Sequence, residues 1–463
     1  MMSPLYTTVQ IRAIEQQHTG LMEKAGLAAA ELARDLAGNM PLLILAGPGN
    51  NGGDALVAAG YLKQWGLALD VMFTGDAAKL PLDAKAAYEA WSGEVLTEIP
   101  TKKYGLIVDG LFGIGLTRNL DATYLALVEK INTMNTPVLA LDVPSGLCAD
   151  TGRILGAAIK ATYTITFIGL KPGLYTLDGV DVAGKVHLAD LGGFPSLSAG
   201  RLIDSLPYSL PTRKNNSHKG SNGSVAVIGG AAGMVGAAFL AAKAALLAGS
   251  GRVYCHLLAA DAPLLDLDMP EIMLRPAYME AIAKDVNALV IGMGMGRSTQ
   301  AIELLRNCLQ HPAPLVLDAD ALHLLDETML QKHGNAILTP HPGEAAALLH
   351  CDTAVIQADR IQAALKIASR YNAITVLKGA GSVIATPDGR WFINASGNPG
   401  LAAAGMGDVL AGVIGGLLAQ GLSAEQAALS GVYLHGLAAD KLGIKVGLTA
   451  SEIALEVRQL LNS

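Results

Sequence analysis

Short apolar runs recur along this chain, each closing on glycine or aspartate and each followed by a segment of helical period. In the first half they are PLLILAG (41–47), ALDVMFTG (68–75), YGLIVDG (104–110) and PVLALDVPSG (137–146). Such runs are too short for helices and lack the apolar–polar alternation of a half-exposed strand, so they read as strands covered on both faces. The segments 54–65 and 82–91 between them suit helices. Strands alternating with helices imply a mostly parallel sheet with helices on its faces. The pattern breaks between about 193 and 216, where Pro, Ser, Asn and Gly accumulate, and then restarts with GSVAVIGG, NALVIGMG, APLVLDAD, NAILTPHP and ITVLKGAG. SVIATPDGRWFIN reads as a hairpin turning at Pro387-Asp388-Gly389. A helix is expected over 408–420. No short-period repeat is present, so the chain is α/β with two domains, 1–205 and 206–463.

Composition narrows the function. Of 463 residues, 51% are hydrophobic and 16% charged, which allows large cores. The net charge of −7 leaves no basic surplus for nucleic acid. Four separated cysteines, Cys148, Cys255, Cys308 and Cys351, give no disulfide or zinc framework. The start MMSPLYTTVQIRAIEQQ has no basic region followed by an apolar core. The Gly-rich stretch 409–424 is too short to span a bilayer and reads as a buried helix. A cytoplasmic protein without nucleic-acid or membrane partners is expected.

Ligands of doubly wound sheets sit beyond the carboxyl ends of the strands, and every unusual turn in this chain falls there. GPGNNGGD (47–54) places four glycines between a strand and a helix, where backbone N–H groups can hold phosphate. Taken alone, Asp54 also reads as a helix N-cap and Asn51 as a left-handed turn residue. VDGLFGIGLTRNL and LDVPSGL add Asp109, Asp142 and Ser145 at neighbouring strand ends. Asn51, Asp109 and Ser145 offer few charges, which suits a monovalent cation better than a divalent one. Asp142 is then free to act as acid or base.

In the second half, GMGD places Gly405, Gly407 and Asp408 at a helix start. Free N–H groups there stabilise a transferred phosphoryl group, and the carboxylate accepts a proton from an attacking hydroxyl. An arbitrary GxGD would read as an N-capping aspartate, but paired with LKGAGS it favours the functional reading of Asp408. LKGAGS supplies a second strand-end loop with a cation, Lys378, suited to a nucleotide phosphate.

The strings NNGGD, DGLFGIG and LDVPSG, in this order at strand ends, resemble the NAD(P)H-hydrate epimerase domain. The C-terminal half resembles the ribokinase-like NAD(P)H-hydrate dehydratase, and together they resemble the bifunctional bacterial nicotinamide-nucleotide repair enzymes over nearly the whole chain. The resemblance implies a Rossmann-like three-layer αβα domain followed by a ribokinase-like α/β domain. It implies epimerisation of R- and S-NAD(P)HX by the first and ADP-dependent dehydration of S-NAD(P)HX to NAD(P)H, AMP and phosphate by the second. Its substrate contacts in the first domain would be Asn50, Asn51, Gly52, Gly53, Asp54, Gly113, Ile114, Gly115, Leu116, Thr117, Arg118, Asn119, Tyr124 and Asp142, with Asp142 catalytic. Potassium would sit on Asn51, Asp109 and Ser145. In the second domain Ala237, Gly296, His341 and Asp408 would meet the hydrated dinucleotide, with Asp408 catalytic and His341 in a binding role. Lys378, Gly379, Ala380, Gly381, Ser382 and Gly407 would meet the nucleotide. Asp318 and Asp320 in LDADAL either organise Mg²⁺ or cap a helix. A homo-oligomer is implied too, although the segment before LMEKAG, which makes dimer contacts in relatives, is shorter here. The alternatives are a vitamin or sugar kinase carrying a nucleotide-sensing first domain, and a first half that only binds or scaffolds. A kinase accumulates a stable phosphorylated product, whereas the repair enzyme releases NAD(P)H and free phosphate.

Overall fold

A computed structural model describes residues 2–194, 200–210, 212–278, 282, 285–330 and 333–463. The chain packs as two compact units, 4–200 and 201–463, the second also taking in the first few residues.

In the first unit the helices Thr8–Glu15 (α1) and Leu21–Ala37 (α2) precede strand β1, Leu42–Ala46. The chain continues through α3 (Asn50–Gln64), β2 (Leu69–Phe73), α4 (Leu82–Ala90), β3 (Leu106–Gly110), α5 (Ala122–Thr133), β4 (Val138–Leu141), β5 (Tyr163–Phe167) and β6 (Lys185–Ala189). The strands pair in the order β2-β1-β3-β4-β5-β6, all parallel. Every residue of β1 is buried because both faces are covered. Leu42, Ile44 and Ala46 pack into one core cluster and Leu43 and Leu45 into another.

Helix α3 begins at Asn50, four residues ahead of the expected start. Asn-Gly-Gly is a poor helix former, and packing overrides propensity here. A Cβ on Gly52 would lie 2.0 Å from the Gly47 carbonyl oxygen, and one on Gly47 would lie 1.8 Å from that of Leu111. Part of the glycine run therefore lets three backbone segments touch. Asp54 consequently stands inside the helix, and Gly49 occupies the N-cap position, which corrects the capping reading of Asp54.

The second unit opens with β7 (Gly200–Ile203), β8 (Ser224–Gly229), α6 (Val235–Leu247), β9 (Arg252–Leu257), β10 (Met273–Pro276) and β11 (Ala288–Ile291). Then follow β12 (Leu315–Leu317), β13 (Ala336–Leu338), α7 (Pro342–Leu349), α8 (Arg360–Tyr371) and β14 (Ile374–Leu377). Last come β15 (Val383–Ala385), β16 (Trp391–Asn394), α9 (Met406–Ala419), α10 (Ala424–Leu442) and α11 (Ala450–Leu460). Its sheet runs β7-β16-β15-β14-β13-β12-β11-β8-β9-β10. The strands from β14 to β10 are parallel; β15 and β16 form the expected hairpin, and β15 also pairs antiparallel with β14. Helix α9 starts at Met406, two residues early, and is buried along most of its length against α6. Among the described residues no helix is long and apolar enough to cross a membrane.

Candidate active sites

In the first unit, the strand-end turns surround a cavity of about 670 Å³. Asn50, Asn51 and Asp54 line it from α3, with Gly113, Ile114, Gly115 and Leu116 from the turn after β3 and Asp142 from the turn after β4. Gly52 and Gly53 lie outside the lining and pack on Gly47 and Met22 instead. Thr117, Arg118 and Asn119 are exposed, and Tyr124 sits edge-on to Phe112, also outside the lining.

Asp142 adopts φ +64°, a left-handed conformation tolerated by aspartate. This turns its carboxylate towards Lys171, a residue that sequence reasoning missed. The Lys171 ammonium, wholly buried, donates to Asp142 Oδ1, to Thr166 Oγ1 at 2.9 Å and to the Phe167 carbonyl at 2.6 Å. Lys171 sits just past β5 in GLKPG, a strand-end turn of the kind that flagged the other residues. Glu15, at the end of α1, also lines the cavity and was missed for lack of any strand-end signal. Burial, then Asp142, then Glu15 push the Asp54 carboxyl well above the usual range, against Lys171.

Asp109, Ser145 and Asn51 lie together beside this cavity. Ser145 Oγ donates to Asp109 Oδ1 at 2.6 Å, Ser145 N donates to Oδ2 at 2.9 Å, and Phe112 N donates to Ser145 Oγ at 2.8 Å. Burial pushes Asp109 up to about 6 despite these donors. The Asn51 side chain packs against Gly113, where a Cβ would lie 3.2 Å from its Oδ1. Asn51 is 8% exposed, yet neither Oδ1 nor Nδ2 has a hydrogen-bond partner. An orphaned buried carboxamide is costly unless a ligand satisfies it, so this trio fits a bound monovalent cation.

In the second unit, Lys378 follows β14 and its ammonium lies 2.7 Å from Asp318 Oδ1 and 3.8 Å from Glu344 Oε2. Burial alone would lower Lys378, but Asp318 and Glu344 outweigh it and hold the ammonium above its ordinary range. Gly407 faces this group: a Cβ there would lie 3.1 Å from Lys378 Nζ and 3.3 Å from Asp318 Oδ2. Asp408 stands in the first turn of α9, after Gly405 at φ +83°. Its carboxyl takes no cap bond, so N-capping is not its role. Burial and then Asp318 push it up to about 7, with Lys378 opposing and Glu344 adding.

The loop 378–382 is held from below by Arg360, which sequence reasoning missed because it reads as an ordinary helix-start residue. Arg360 is buried and donates to the carbonyls of Leu377 at 3.2 Å and Lys378 at 3.3 Å. Gly379, at φ +141°, lies directly on its guanidinium. Ser382 Oγ closes the loop on the Gly379 carbonyl at 3.1 Å. Ala380 and Gly381 lie within the same loop.

His341 is the N-cap of α7: its Nδ1 accepts from Gly343 N at 3.0 Å and Glu344 N at 3.2 Å. That places the ring proton on Nε2, 3.2 Å from Glu344 Oε1, and suits binding better than proton transfer. Asp320 Oδ2 accepts from Gly296 N at 2.8 Å and so shapes the turn near Ala237. Neither Asp318 nor Asp320 caps a helix, which corrects that alternative. Among the described residues no three His, Cys, Asp or Glu side chains form a metal cage. One carboxylate beside a phosphate site is nevertheless a common Mg²⁺ arrangement, the ion resting mainly on the ligand's oxygens.

Residues 18–173 match the family model described as YjeF-related protein N-terminus, and residues 225–458 match NAD(P)H-hydrate dehydratase. The bifunctional NAD(P)H-hydrate repair enzyme of Escherichia coli K12 is 38% identical over 463 residues, covering 96% of this chain and 89% of its own. That of Coxiella burnetii is 39% identical over 493 residues, covering both chains fully. The chain belongs to the bifunctional NAD(P)H-hydrate repair enzyme family. A solved structure, the ADP/ATP-dependent NAD(P)H-hydrate dehydratase of Bacillus subtilis co-crystallised with ATP and Mg²⁺, is 30% identical. It has a TM-score of 0.50 and covers 55% of this chain and 94% of its own. Family membership extends over both units, so neither unit of this chain stands apart as an unrelated sensor.

Proposed function

We propose that this chain repairs hydrated nicotinamide dinucleotides, interconverting R- and S-NAD(P)HX on residues 1–205 and dehydrating the S form on residues 206–463 with ADP. The observation that carries the reading is the raised Asp408 carboxyl in the first turn of α9, beside Gly407 and the buried Lys378. A carboxyl poised near neutrality there is suited to take a proton from a hydroxyl attacking a phosphoryl group. The β-phosphoryl of ADP passes to the C6 hydroxyl, whose proton goes to Asp408, and AMP leaves. Phosphate then departs from C6 as the N1 lone pair forms a double bond, and loss of a C5 proton gives NAD(P)H. Phosphorylation matters because phosphate is a far better leaving group than hydroxide.

Lys378 and the N–H groups of 379–382 and 407 hold the nucleotide phosphates, while Ala237, Gly296 and His341 meet the hydrate. Asp318 is the carboxylate suited to assist Mg²⁺, which when bound neutralises phosphate charge. In the first unit Asn51, Asp109 and Ser145 would hold K⁺, which would supply positive charge tying the start of α3 to the turns after β3 and β4. The dinucleotide occupies the cavity bounded by Asn50, Asp54 and Gly113–Leu116, with Thr117, Arg118, Asn119 and Tyr124 around its extended path and Gly52 and Gly53 packing the loop behind it, and Asp142 is the acid–base group. The enzyme works in the cytoplasm as a homo-oligomer.

One assay tests the reading. A mixture of R and S hydrates is given to the full chain with ADP, K⁺ and Mg²⁺, and restored NAD(P)H is followed by absorbance. Complete conversion requires both activities, conversion of only the S fraction removes the epimerase, and a stable phosphorylated product indicates a kinase.

A further inference from the structure

The cavity of the first unit holds two carboxyl groups in unlike settings. Asp142 is paired with the buried ammonium of Lys171. Asp54 faces the same cavity, and its carboxyl has no hydrogen-bond partner among the described residues. Asp54 follows β1 and Asp142 follows β4, and β3 lies between those strands. Asp54 reaches the cavity from the second turn of α3 and Asp142 from the turn after β4, so the two carboxyls border one space from different elements.

From this placement, and resting on the proposed epimerase reading, we infer that Asp54 is a second catalytic group, acting on the face of the hydrated ring opposite Asp142. Inverting C6 with the ring kept closed requires the hydroxyl to leave from one face and return on the other, and a single fixed carboxylate reaches only one. The Asp54 carboxyl gives its proton to the C6 hydroxyl. The C–O bond breaks, its electron pair leaves on water, and the N1 lone pair forms the C6=N1 iminium bond. A second water attacks C6 from the other face and gives a proton to the Asp142 carboxylate. One water leaves, one enters, and one proton moves from Asp54 to Asp142; the opposite interconversion uses both groups with roles exchanged, and solvent resets them. The environment separates the roles, since burial and the Asp142 and Glu15 carboxyls push the Asp54 carboxyl well above the usual range while Lys171 faces Asp142. Once Asp54 has given up its proton, Glu15, Asp54 and Asp142 outnumber Arg12 and Lys171 around the cavity, which favours a positive iminium ring.

The test begins with wild-type full chain, one pure epimer and water enriched in ¹⁸O. Each molecule that changes configuration should carry one solvent oxygen, read by mass spectrometry. Inversion without label overturns the inference, because a ring that opens and recloses retains its oxygen. Asp54→Asn should lower kcat for interconversion by at least about 10²-fold with KM changed only a few-fold, and Asp54→Glu should recover part of it. A KM effect with kcat intact in Asp54→Asn makes Asp54 a binding residue only and overturns the inference. The label experiment uses unaltered protein, so unlabelled inversion overturns the inference even if a variant misfolds, and the kcat of the Asp54 variants then assigns the group. Wild type that does not interconvert the epimers at all removes the epimerase reading itself, and the inference falls with it.

Discussion

The buried ammonium of Lys171 and the carboxylate of Asp142 form an ion pair that joins the turn after β4 to the chain leaving β5. The remaining Lys171 protons go to Thr166 and Phe167, so the lysine is fully used by the protein. Removing one partner of such a pair leaves an uncompensated charge away from water. Lys171→Met should therefore cost the first unit about 3–5 kcal/mol, read as a lower urea midpoint for its unfolding. An unchanged midpoint would show that the pair is not structural.

Asp142→Asn should slow R/S interconversion by about 10²–10⁴-fold while the S hydrate is dehydrated at the normal rate. Chiral chromatography of the hydrates separates the two activities. Equal loss of both would mean that the substitution acts through the whole chain rather than at one site.

Much of this was legible because parallel strands buried on both faces leave continuous apolar runs, and the residues just after them are where such sheets bind ligands. Asp109, Asp142, Ser145 and Lys378 were singled out in that way, and Asp408 from the glycines that open a helix. Lys171 obeys the same rule, since it sits just past β5, but GLKPG lacks the glycine–aspartate signature of the other turns. Glu15, Glu344 and Arg360 lie on helices, where nothing local separates a residue aimed at a site from one aimed at solvent. The early start of α3 was hidden for a different reason. Glycine lowers helix propensity, yet at Gly52 the close approach of the Gly47 backbone admits no other residue.

Dehydration should depend on pH through Asp408. Its folded value of about 7 lies above that of a free carboxyl, so the base is lost as pH falls through about 7. Below that, kcat/KM should fall about tenfold per pH unit. Glu344 raises Asp408, so Glu344→Gln, which keeps an oxygen for the His341 N–H, should move the midpoint to lower pH. A midpoint that stays in place would assign the profile to another group.

Arg360→Lys should weaken ADP binding without altering the hydrate site. Arg360 Nη2 donates to two carbonyls at the root of the 378–382 loop while Nη1 donates to Gln357 Oε1, and a lysine ammonium, with one nitrogen, cannot span all three. One buried acceptor left unsatisfied costs about 1–3 kcal/mol, so the KM for ADP should rise roughly tenfold while that for the hydrate stays level. Parallel increases in both would point to general loosening of the unit.

The cation site makes the sharpest claim about the first unit. Asn51 carries a buried carboxamide with no partner, beside a serine and an aspartate already bonded to each other. One carboxylate supplies too little charge for tight Mg²⁺ or Ca²⁺ binding, whereas K⁺ accepts neutral oxygens. A ligand that binds only the folded state at about 100 times its dissociation constant adds about 2.7 kcal/mol. Replacing K⁺ by tetramethylammonium at equal ionic strength should therefore lower the melting temperature of the first unit by several degrees and slow R/S interconversion. Ca²⁺ should not restore either. Asn51→Ala removes one oxygen and the orphan together, so this variant should melt at the same temperature in both salts. Crystals soaked in Tl⁺ should show anomalous density bonded to Asn51, Asp109 and Ser145. Identical melting of the wild type in K⁺ and tetramethylammonium, with no density there, would leave the Asn51 carboxamide to the dinucleotide instead.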